Sequence, residues 1–447
     1  MSGLNVSSHT RSVFHAEHLE SSIRKKTPGS AARFERARRT LAGGVSSGLR
    51  KSARPYPLFY THGEGAIIHD VDGNRYLDYG LAWGPLILGH AHPAVVEAVQ
   101  AQAARGLTFG AQHDLEYEVS EMLNRIVPCA DLVCYANSGT EIVQVALRLA
   151  RAWSGGTKHL KFEGHYHGWS DEVMVSYHPS AAESGHGPVP VGAGQLPHEH
   201  VLIAPWNDRA AVEQLFEERA DEISAVICEP LLANSGCIPP EPGFLEFLRE
   251  ITLKHRSVFI MDEVITGFRV DLAGAQGRWG VTPDLATYAK AVGGGAVMSV
   301  LAGRREFMSL IAEGPVVHAG TLNGNPISLA AVKATLEVLT GDPGVYAEMR
   351  SRADRLRSGI EEALTGAGLP VVTSGDGPVF QVSFMDVAAR DYLGTLQASK
   401  ELQSEFCLAL LDQGVLSLPD GRWYVSAVHS EAQIEATLEA VRKAVAV

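Results

Sequence analysis

The chain lacks any uninterrupted apolar run long enough to cross a bilayer. Its first residues, Met1 to Val6, lack the basic-then-apolar layout of a secretion signal. Cysteine is scarce: Cys129, Cys134, Cys228, Cys237 and Cys407 are five in 447 residues, an odd number with no metal-ligand spacing. That argues against a disulfide framework and leaves no metal site in view, so reduced, packed thiols in a cytoplasmic protein are expected. Positive charge is also short, with 38 Lys and Arg against 51 Asp and Glu, a formal net charge of −13. Such a surface disfavours nucleic acid or an anionic membrane as partner, and mildly favours approach of a cationic small molecule. Internal repeats and long low-complexity tracts are absent too.

What is present is an ordinary globular composition, 45% hydrophobic and 20% charged, in a chain long enough for two or three domains. A helical pattern covers Ala31 to Leu41 and ends at Gly43-Gly44. Gly65 to Asp70 and Arg75 to Tyr79 form a hairpin through Asp72-Gly73, and helices follow near Pro93 to Arg105 and Leu115 to Ile126. From Leu132 short apolar runs alternate with helical patterns. Strands are expected at Leu132 to Ala136, Lys158 to Phe162, Val201 to Ala204, Ile223 to Cys228, Val258 to Asp262 and Val297 to Leu301. Helices are expected at Glu141 to Trp153, Arg209 to Glu218, Gly243 to His255 and Pro326 to Leu339. This alternation predicts an α/β fold with a mainly parallel sheet and a ligand beyond the strands' C-terminal ends. The tail reads as a smaller α+β unit with helices at 344–365, 397–413 and 430–445. The division expected is 1–61 as an N-terminal arm and part of the small domain, 62–335 as the large domain, and 336–447 as the C-terminal small domain. Residues 179–200, rich in Gly, Pro, Ser and His, form either an active-site lid or an irregular surface loop.

The chemistry lies at the strand ends. The run Val258-Phe259-Ile260-Met261-Asp262 delivers a carboxylate to a sheet edge, and Tyr288-Ala289-Lys290 brings a lysine beside Gly293-Gly294-Gly295. An acid and an amine placed this way suit pyridoxal 5′-phosphate, whose aldehyde takes a lysine and whose ring nitrogen pairs with an acid. Singly, each residue reads as structural. Ser138-Gly139-Thr140 opens a helix after a strand, which makes an anion cradle or an ordinary capping turn. Tyr166, in Gly164-His165-Tyr166-His167-Gly168, can lay its ring on a planar heterocycle. Glu229 shares the sheet edge of Asp262, and Gly320-Thr321 offers another hydroxyl ahead of a helix. His165, His167 and His318 read as hydrogen-bonded structural groups, and no third ligand joins the first two to make a metal site.

These segments together resemble the class III aminotransferases of the fold-type I pyridoxal-phosphate superfamily, especially the glutamate-1-semialdehyde aminomutase-like branch. The resemblance runs from about Leu41 to the C-terminus. It is carried by Asp262-Glu263-Val264-Ile265-Thr266-Gly267-Phe268-Arg269, Ala275-Gln276-Gly277, Gly280-Val281-Thr282-Pro283-Asp284-Leu285 and Gly320-Thr321, with Trp83-Gly84-Pro85, Gly89-His90 and His92-Pro93. It implies a large mainly parallel mixed-sheet domain and a smaller α+β domain. Lys290 would be the Schiff-base lysine and proton carrier, and Asp262 the partner of the ring nitrogen. Ser138, Gly139 and Thr140 would hold the phosphate, with Thr321 reaching in from a second subunit of a homodimer. Tyr166 and Val264 would flank the ring, and Glu229 would sit near its polar edge. Arg50 occupies the place of the arginine that takes the substrate carboxylate in that branch, and Trp83 would line the same pocket.

Three segments depart from the branch. Pro419-Asp420-Gly421-Arg422-Trp423-Tyr424 lacks the Phe-Glu-Ala-Gly-Phe pattern, Ala296-Val297-Met298-Ser299-Val300 lacks the usual Leu-Pro, and the 179–200 loop differs in composition. Transamination between an amino donor and an aldehyde or ketone of a small polar molecule is therefore the first expectation. That molecule would be an amino acid, a β-amino acid or an amino-sugar precursor. The alternative is internal rearrangement by a glutamate-1-semialdehyde-type aminomutase or an epimerase. A regulatory module that merely retains the fold is disfavoured by the presence of both Lys290 and Asp262.

Overall fold

The computed structural model describes residues 14–196 and 199–446. Its largest sheet has seven strands. In chain order they are β1 (Leu132–Ala136), β2 (Lys158–Phe162), β3 (Val201–Ala204), β4 (Ile223–Cys228), β5 (Val258–Asp262), β6 (Leu285–Tyr288) and β7 (Ser299–Gly303). They lie side by side as β1-β7-β6-β5-β4-β2-β3. Only β7 runs antiparallel to its neighbours. The architecture is α/β with a mainly parallel mixed sheet, as the alternating pattern predicted.

β4 and β5 are buried at every position, because helices cover both faces of the sheet. Successive side chains alternate between the two cores. Ile227 and Ile260 pack with Ile142, Val143 and Leu147 of the helix Gly139–Ser154. Val226, Cys228, Phe259 and Met261 face the opposite core, against Phe244, Leu245 and Leu248 of the helix Phe244–His255.

The strands β1 to β5 fall on their expected bounds; β6 was not expected, and β7 starts two residues later than the pattern suggested. Only four residues long, β6 has no periodicity of its own, and its neighbours β5 and β7 complete it. The shift of β7 follows from the glycine triplet: Ala296 N–H closes a turn on Gly293, and Val297 is left exposed. The first glycine-bounded helix also differs, spanning Pro28–Ala37 with proline in its first turn, where the fixed φ suits a helix start.

The hairpin Ile67–Asp70 with Arg75–Asp78 is antiparallel, its turn held by the Asp70 carboxylate, which accepts from Asp72 and Asn74 N–H. Tyr60–Glu64 pairs on one side, and Val415–Leu416 joins in parallel on the other. A three-stranded antiparallel sheet of Val372–Asp376, Val379–Ser383 and Arg422–Tyr424 lies against the helices Val345–Gly366, Lys400–Asp412 and Glu431–Val445. In its last strand Trp423 enters that core, and Arg422 and Tyr424 point the other way, toward the large sheet.

Among the described residues between Met174 and β3, no helix or strand forms. The loop is tied down instead. Glu163 accepts from Ser184 Oγ (2.6 Å) and Gly185 N–H (2.7 Å), and Ser176 N–H donates to Val189 O (2.7 Å). None of the described residues of 179–200 lines the cavity built by the strand ends.

Candidate active site

The ends of β1, β2, β4, β5 and β6 meet around a cavity of about 270 Å³. β1 leads into the helix that begins at Gly139, with Gly139 and Thr140 in the cavity wall. β2 supplies Tyr166, β4 supplies Glu229, β5 supplies Asp262 and then Val264, and β6 leads to Lys290.

Lys290 opens a short 3-10 turn (Lys290–Gly293) with left-handed backbone, φ 48°. Among the described residues its Nζ has neither a hydrogen bond nor an ion pair. Loss of hydration, helped by the nearby Arg422 guanidinium, pushes the amine down to about 8. A larger share is then uncharged and nucleophilic near neutral pH than for an ordinary lysine.

Asp262 is 4% exposed. Its Oδ1 accepts from Thr287 Oγ1 and Val264 N–H, both at 3.1 Å, and its Oδ2 lies 2.6 Å from His167 Nδ1. Burial pushes the His167 imidazole pKa down, so the neutral ring donates from Nδ1, and its Nε2 is buried without a partner. The carboxylate is thus fixed from three sides.

Glu229 is held as firmly. Its oxygens accept from Tyr166 N–H (2.8 Å), Ala233 N–H (3.1 Å), Asn234 N–H (3.2 Å) and Asn234 Nδ2 (3.0 Å). Burial nevertheless pushes its carboxyl up to about 7. His165 Nδ1 accepts from Glu229 N–H at 2.9 Å, the structural role expected of it.

The cradle fits a phosphate for a concrete reason. Helix starts leave N–H groups without intrahelical partners, and Gly139 and Thr140 are the first two residues of theirs. Gly168 closes over Thr140 so tightly that a Cβ there would meet Thr140 Oγ1 at 2.5 Å. Ser138 stands outside the cavity wall: its hydroxyl caps its own helix at Glu141 N–H, and Glu141 Oε2 accepts Ser138 N–H at 2.9 Å. An amine, an anchored carboxylate, an anion cradle and the side chains of Tyr166 and Val264 share one cavity. That donor set fits pyridoxal 5′-phosphate.

The structure brings together Gly139, Thr140, Tyr166, Glu229, Asp262, Val264, Lys290 and Trp83. It does not bring in Arg50, which is exposed, donates to Ser46 Oγ at 2.7 Å and faces a neighbouring cavity of about 420 Å³. Thr321 is likewise exposed and lies in a third depression, with Asn323. Trp83 lines both the Lys290 cavity and the one of Arg50. It sits at the end of three consecutive left-handed non-glycine residues, Leu81, Ala82 and Trp83 (φ 44°, 55° and 68°). Such backbone costs about 1–3 kcal/mol per residue, and Asp78 Oδ1 offsets it by accepting Gly80 and Leu81 N–H at 2.8 and 2.9 Å.

The sequence reading missed Arg422. It is 3% exposed and its guanidinium lies 5.8 Å from the Trp83 ring centroid. Ala233 O, Asn234 Oδ1 and Asp420 Oδ2 accept from its terminal nitrogens at 3.0, 3.0 and 2.9 Å, and Nε has no partner. Its segment had stood out only by departing from a pattern. The signal that could have found it is an arginine beside Trp and Tyr in a short strand.

The sequence model described as aminotransferase class-III matches residues 49–445 of this chain. The chain is 41% identical over 420 residues to the glutamate-1-semialdehyde 2,1-aminomutase of Desulforudis audaxviator (strain MP104C), covering 93% of this chain and 97% of that protein. Its structure is similar to that of an omega-transaminase from Sphaerobacter thermophilus, with a TM-score of 0.88, 34% identity, and coverage of 93% and 97% of the two chains. It also matches a transaminase with PLP bound, with a TM-score of 0.86, 29% identity, and coverage of 94% and 97%.

Proposed function

The chain belongs to the class-III aminotransferases and uses pyridoxal 5′-phosphate, and on that premise we propose that it is a glutamate-1-semialdehyde-type 2,1-aminomutase. It would move an amino group between neighbouring carbons of one small carboxylate-bearing substrate. The near end-to-end likeness to an aminomutase supports this reading. The observation in the site that carries it is that Trp83, Tyr177 and the buried Arg422 line the same cavity as Lys290. An internal transfer succeeds only if the half-reacted molecule stays in place, and a short substrate held at its carboxylate does so.

When bound, the cofactor supplies the electron sink that makes the hydrogen beside the amine acidic. In this proposal Lys290 Nζ would anchor the cofactor and then carry that proton between the substrate carbon and the cofactor. Asp262, steadied by His167 and Thr287, holds negative charge at the ring nitrogen. The Gly139 and Thr140 amides hold the phosphate, with Ser138 at the rim. Tyr166 and Val264 flank the ring, and Glu229 sits at its polar edge. Arg422 takes over the carboxylate contact expected of Arg50.

A homodimer belongs to the same proposal. Leu107, Phe109, Val317 and Leu322 are all more than half exposed, at 64%, 51%, 69% and 51%, and Phe109 shares a depression with Thr321, apolar surface suited to an interface. A second copy would cover it and carry Thr321 to the phosphate. Among the described residues no helix is long and apolar enough to cross a membrane, and we place the enzyme in the cytoplasm.

Transamination is the second reading, with separate amino donor and oxo acceptor. It is favoured by the segment of Arg422, which departs from the aminomutase pattern and brings a buried guanidinium into the lining of the Lys290 cavity. The test is to give the holoenzyme glutamate-1-semialdehyde alone. Many turnovers to 5-aminolevulinate without added acceptor support the aminomutase. Turnover only when a donor amine and an oxo acid are both present, with one exchanged for the other, replaces it with transamination.

A further inference from the structure

A second lysine of this chain is more deeply buried than Lys290 and has no part in the chemistry above. Lys161, on β2, is 0% exposed. Its Nζ donates to His165 O (3.0 Å), Val173 O (3.0 Å) and Val175 O (2.6 Å). An ammonium has three donors and no acceptor, so this cage matches the charged form. No carboxylate lies within ion-pair distance of it among the described residues.

All three acceptors belong to one stretch of chain. It leaves β2, passes the cavity with Tyr166, His167 and Gly168, and returns through the short helix Asp171–Met174. His165 O lies at its start and Val173 O and Val175 O at its end, so one atom ties the two ends together. Burying an unpaired ammonium is costly, and an uncharged side chain of the same length would pack there more cheaply. The charge is explained by what it holds. Within the same stretch, Glu229 Oε1 accepts Tyr166 N–H (2.8 Å), so the segment is held at its middle as well as at its ends.

We propose that Lys161 is a positioning residue for the cofactor site. Its carbonyl cage sets the pose of Tyr166 over the cofactor ring and holds His167 Nδ1 at 2.6 Å from Asp262 Oδ2. It touches neither substrate nor cofactor. The inference rests on pyridoxal 5′-phosphate occupying the Lys290 cavity, but not on which reaction follows, so failure of the aminomutase reading leaves it standing.

The test uses Lys161→Met and Lys161→Arg holoenzymes. Pyridoxal-phosphate affinity is read by titration, and the pose of the bound ring by circular dichroism in its visible absorption band. Because three charge-assisted hydrogen bonds are lost together, Lys161→Met should weaken cofactor binding by at least about tenfold and diminish the visible signal. Lys161→Arg, which keeps a charge and several donors, should recover part of both. Ser184→Ala removes only the hydrogen bond from Ser184 Oγ to Glu163 in the neighbouring loop, leaves the Glu163 charge in place, and should leave both readings unchanged. Unaltered affinity and visible signal in Lys161→Met, whatever its melting temperature, overturns the proposal. Equal losses in Ser184→Ala also overturn it, because any loosening of the loop would then suffice. If Lys161→Met yields no folded protein, Lys161→Gln keeps two donors. An intermediate loss there supports the cage, and no loss refutes it.

Discussion

Lys161 and Lys290 follow the same physical rule to opposite ends. Both belong to the central sheet's strands or their ends, and loss of hydration pushes both amines well down, to about 7 and about 8. Lys161 has all three donors engaged by carbonyl oxygens. Lys290 has none engaged among the described residues and stands in a cavity with Asp262 and a helix start. A depressed amine therefore does not by itself mark a reacting group. Unsatisfied donors facing open space beside an anchored acid do. Lys161 is complementary to its own charge, and Lys290 is left to be completed by a ligand.

The largest expected effect separates these two directly. Lys290→Ala should lower turnover by at least about 10³-fold, since nucleophile and proton carrier go together, and Lys161→Met should lower it by roughly tenfold. Steady-state rates at saturating cofactor decide this. If the two variants lose equally, the contrast between a free and a saturated lysine breaks down.

The acid comes next. Asp262→Asn keeps one of the two acceptor oxygens, which serve His167 Nδ1 and Thr287 Oγ1 separately, but removes the charge, and should cost about 10²–10³-fold in kcat. His167→Phe leaves that charge in place and only frees it to move, so its loss should be smaller, on the order of tenfold. A His167 variant as poor as Asp262→Asn would show that the imidazole does more than steady the carboxylate.

A pH experiment sharpens the comparison further. A lysine whose amine is depressed to about 8 is protonated below that value and free above it. Capture of pyridoxal 5′-phosphate by apoenzyme should therefore accelerate as pH rises through about 8 and then level off. An ordinary lysine would keep gaining up to about 10.4. Stopped-flow absorbance gives the profile, and a rise continuing past pH 10 would mean that Lys290 is better hydrated than the cavity implies.

The contrast also explains which parts of the site were legible in the sequence. Asp262 and Glu229 were, because each ends an apolar run whose burial on both faces left the first polar residue at the sheet's rim. Lys290 was, through the glycines that follow it. Lys161 was not. In Lys158-His159-Leu160-Lys161-Phe162 a period of two places His159 and Lys161 on a wetted face, yet positions 159 to 162 are all buried because β2 is covered on both sides. The same reason hid Arg422, whose strand Arg422–Tyr424 is buried throughout. β6 was too short to show a period. Arg50 was placed through the resemblance alone, in a segment that folds as the short 3-10 turn Gly48–Ser52, and such segments carry no geometric signal about which cavity a side chain enters. Sequence pattern exposes charges that terminate buried strands and conceals those inside them, where only the partners reveal the purpose.

The smallest expected effect tests that reasoning on the two arginines. Arg422 is fixed through its terminal nitrogens by Ala233, Asn234 and Asp420, its Nε has no partner, and it lines the same cavity as Lys290. Arg422→Lys keeps the charge but loses the planar fork that grips a carboxylate at two points. KM for a carboxylate substrate should rise by about tenfold, with little change in kcat and none for an amine lacking the carboxylate. Arg50 is engaged with Ser46 and faces the adjoining cavity, so Arg50→Ala should change KM by no more than about twofold, as surface substitutions usually do. A reversal, with Arg50→Ala the more damaging, would mean that the loop around Gly48 swings across Trp83 when substrate binds, and that the carboxylate contact belongs to a closed form of the site.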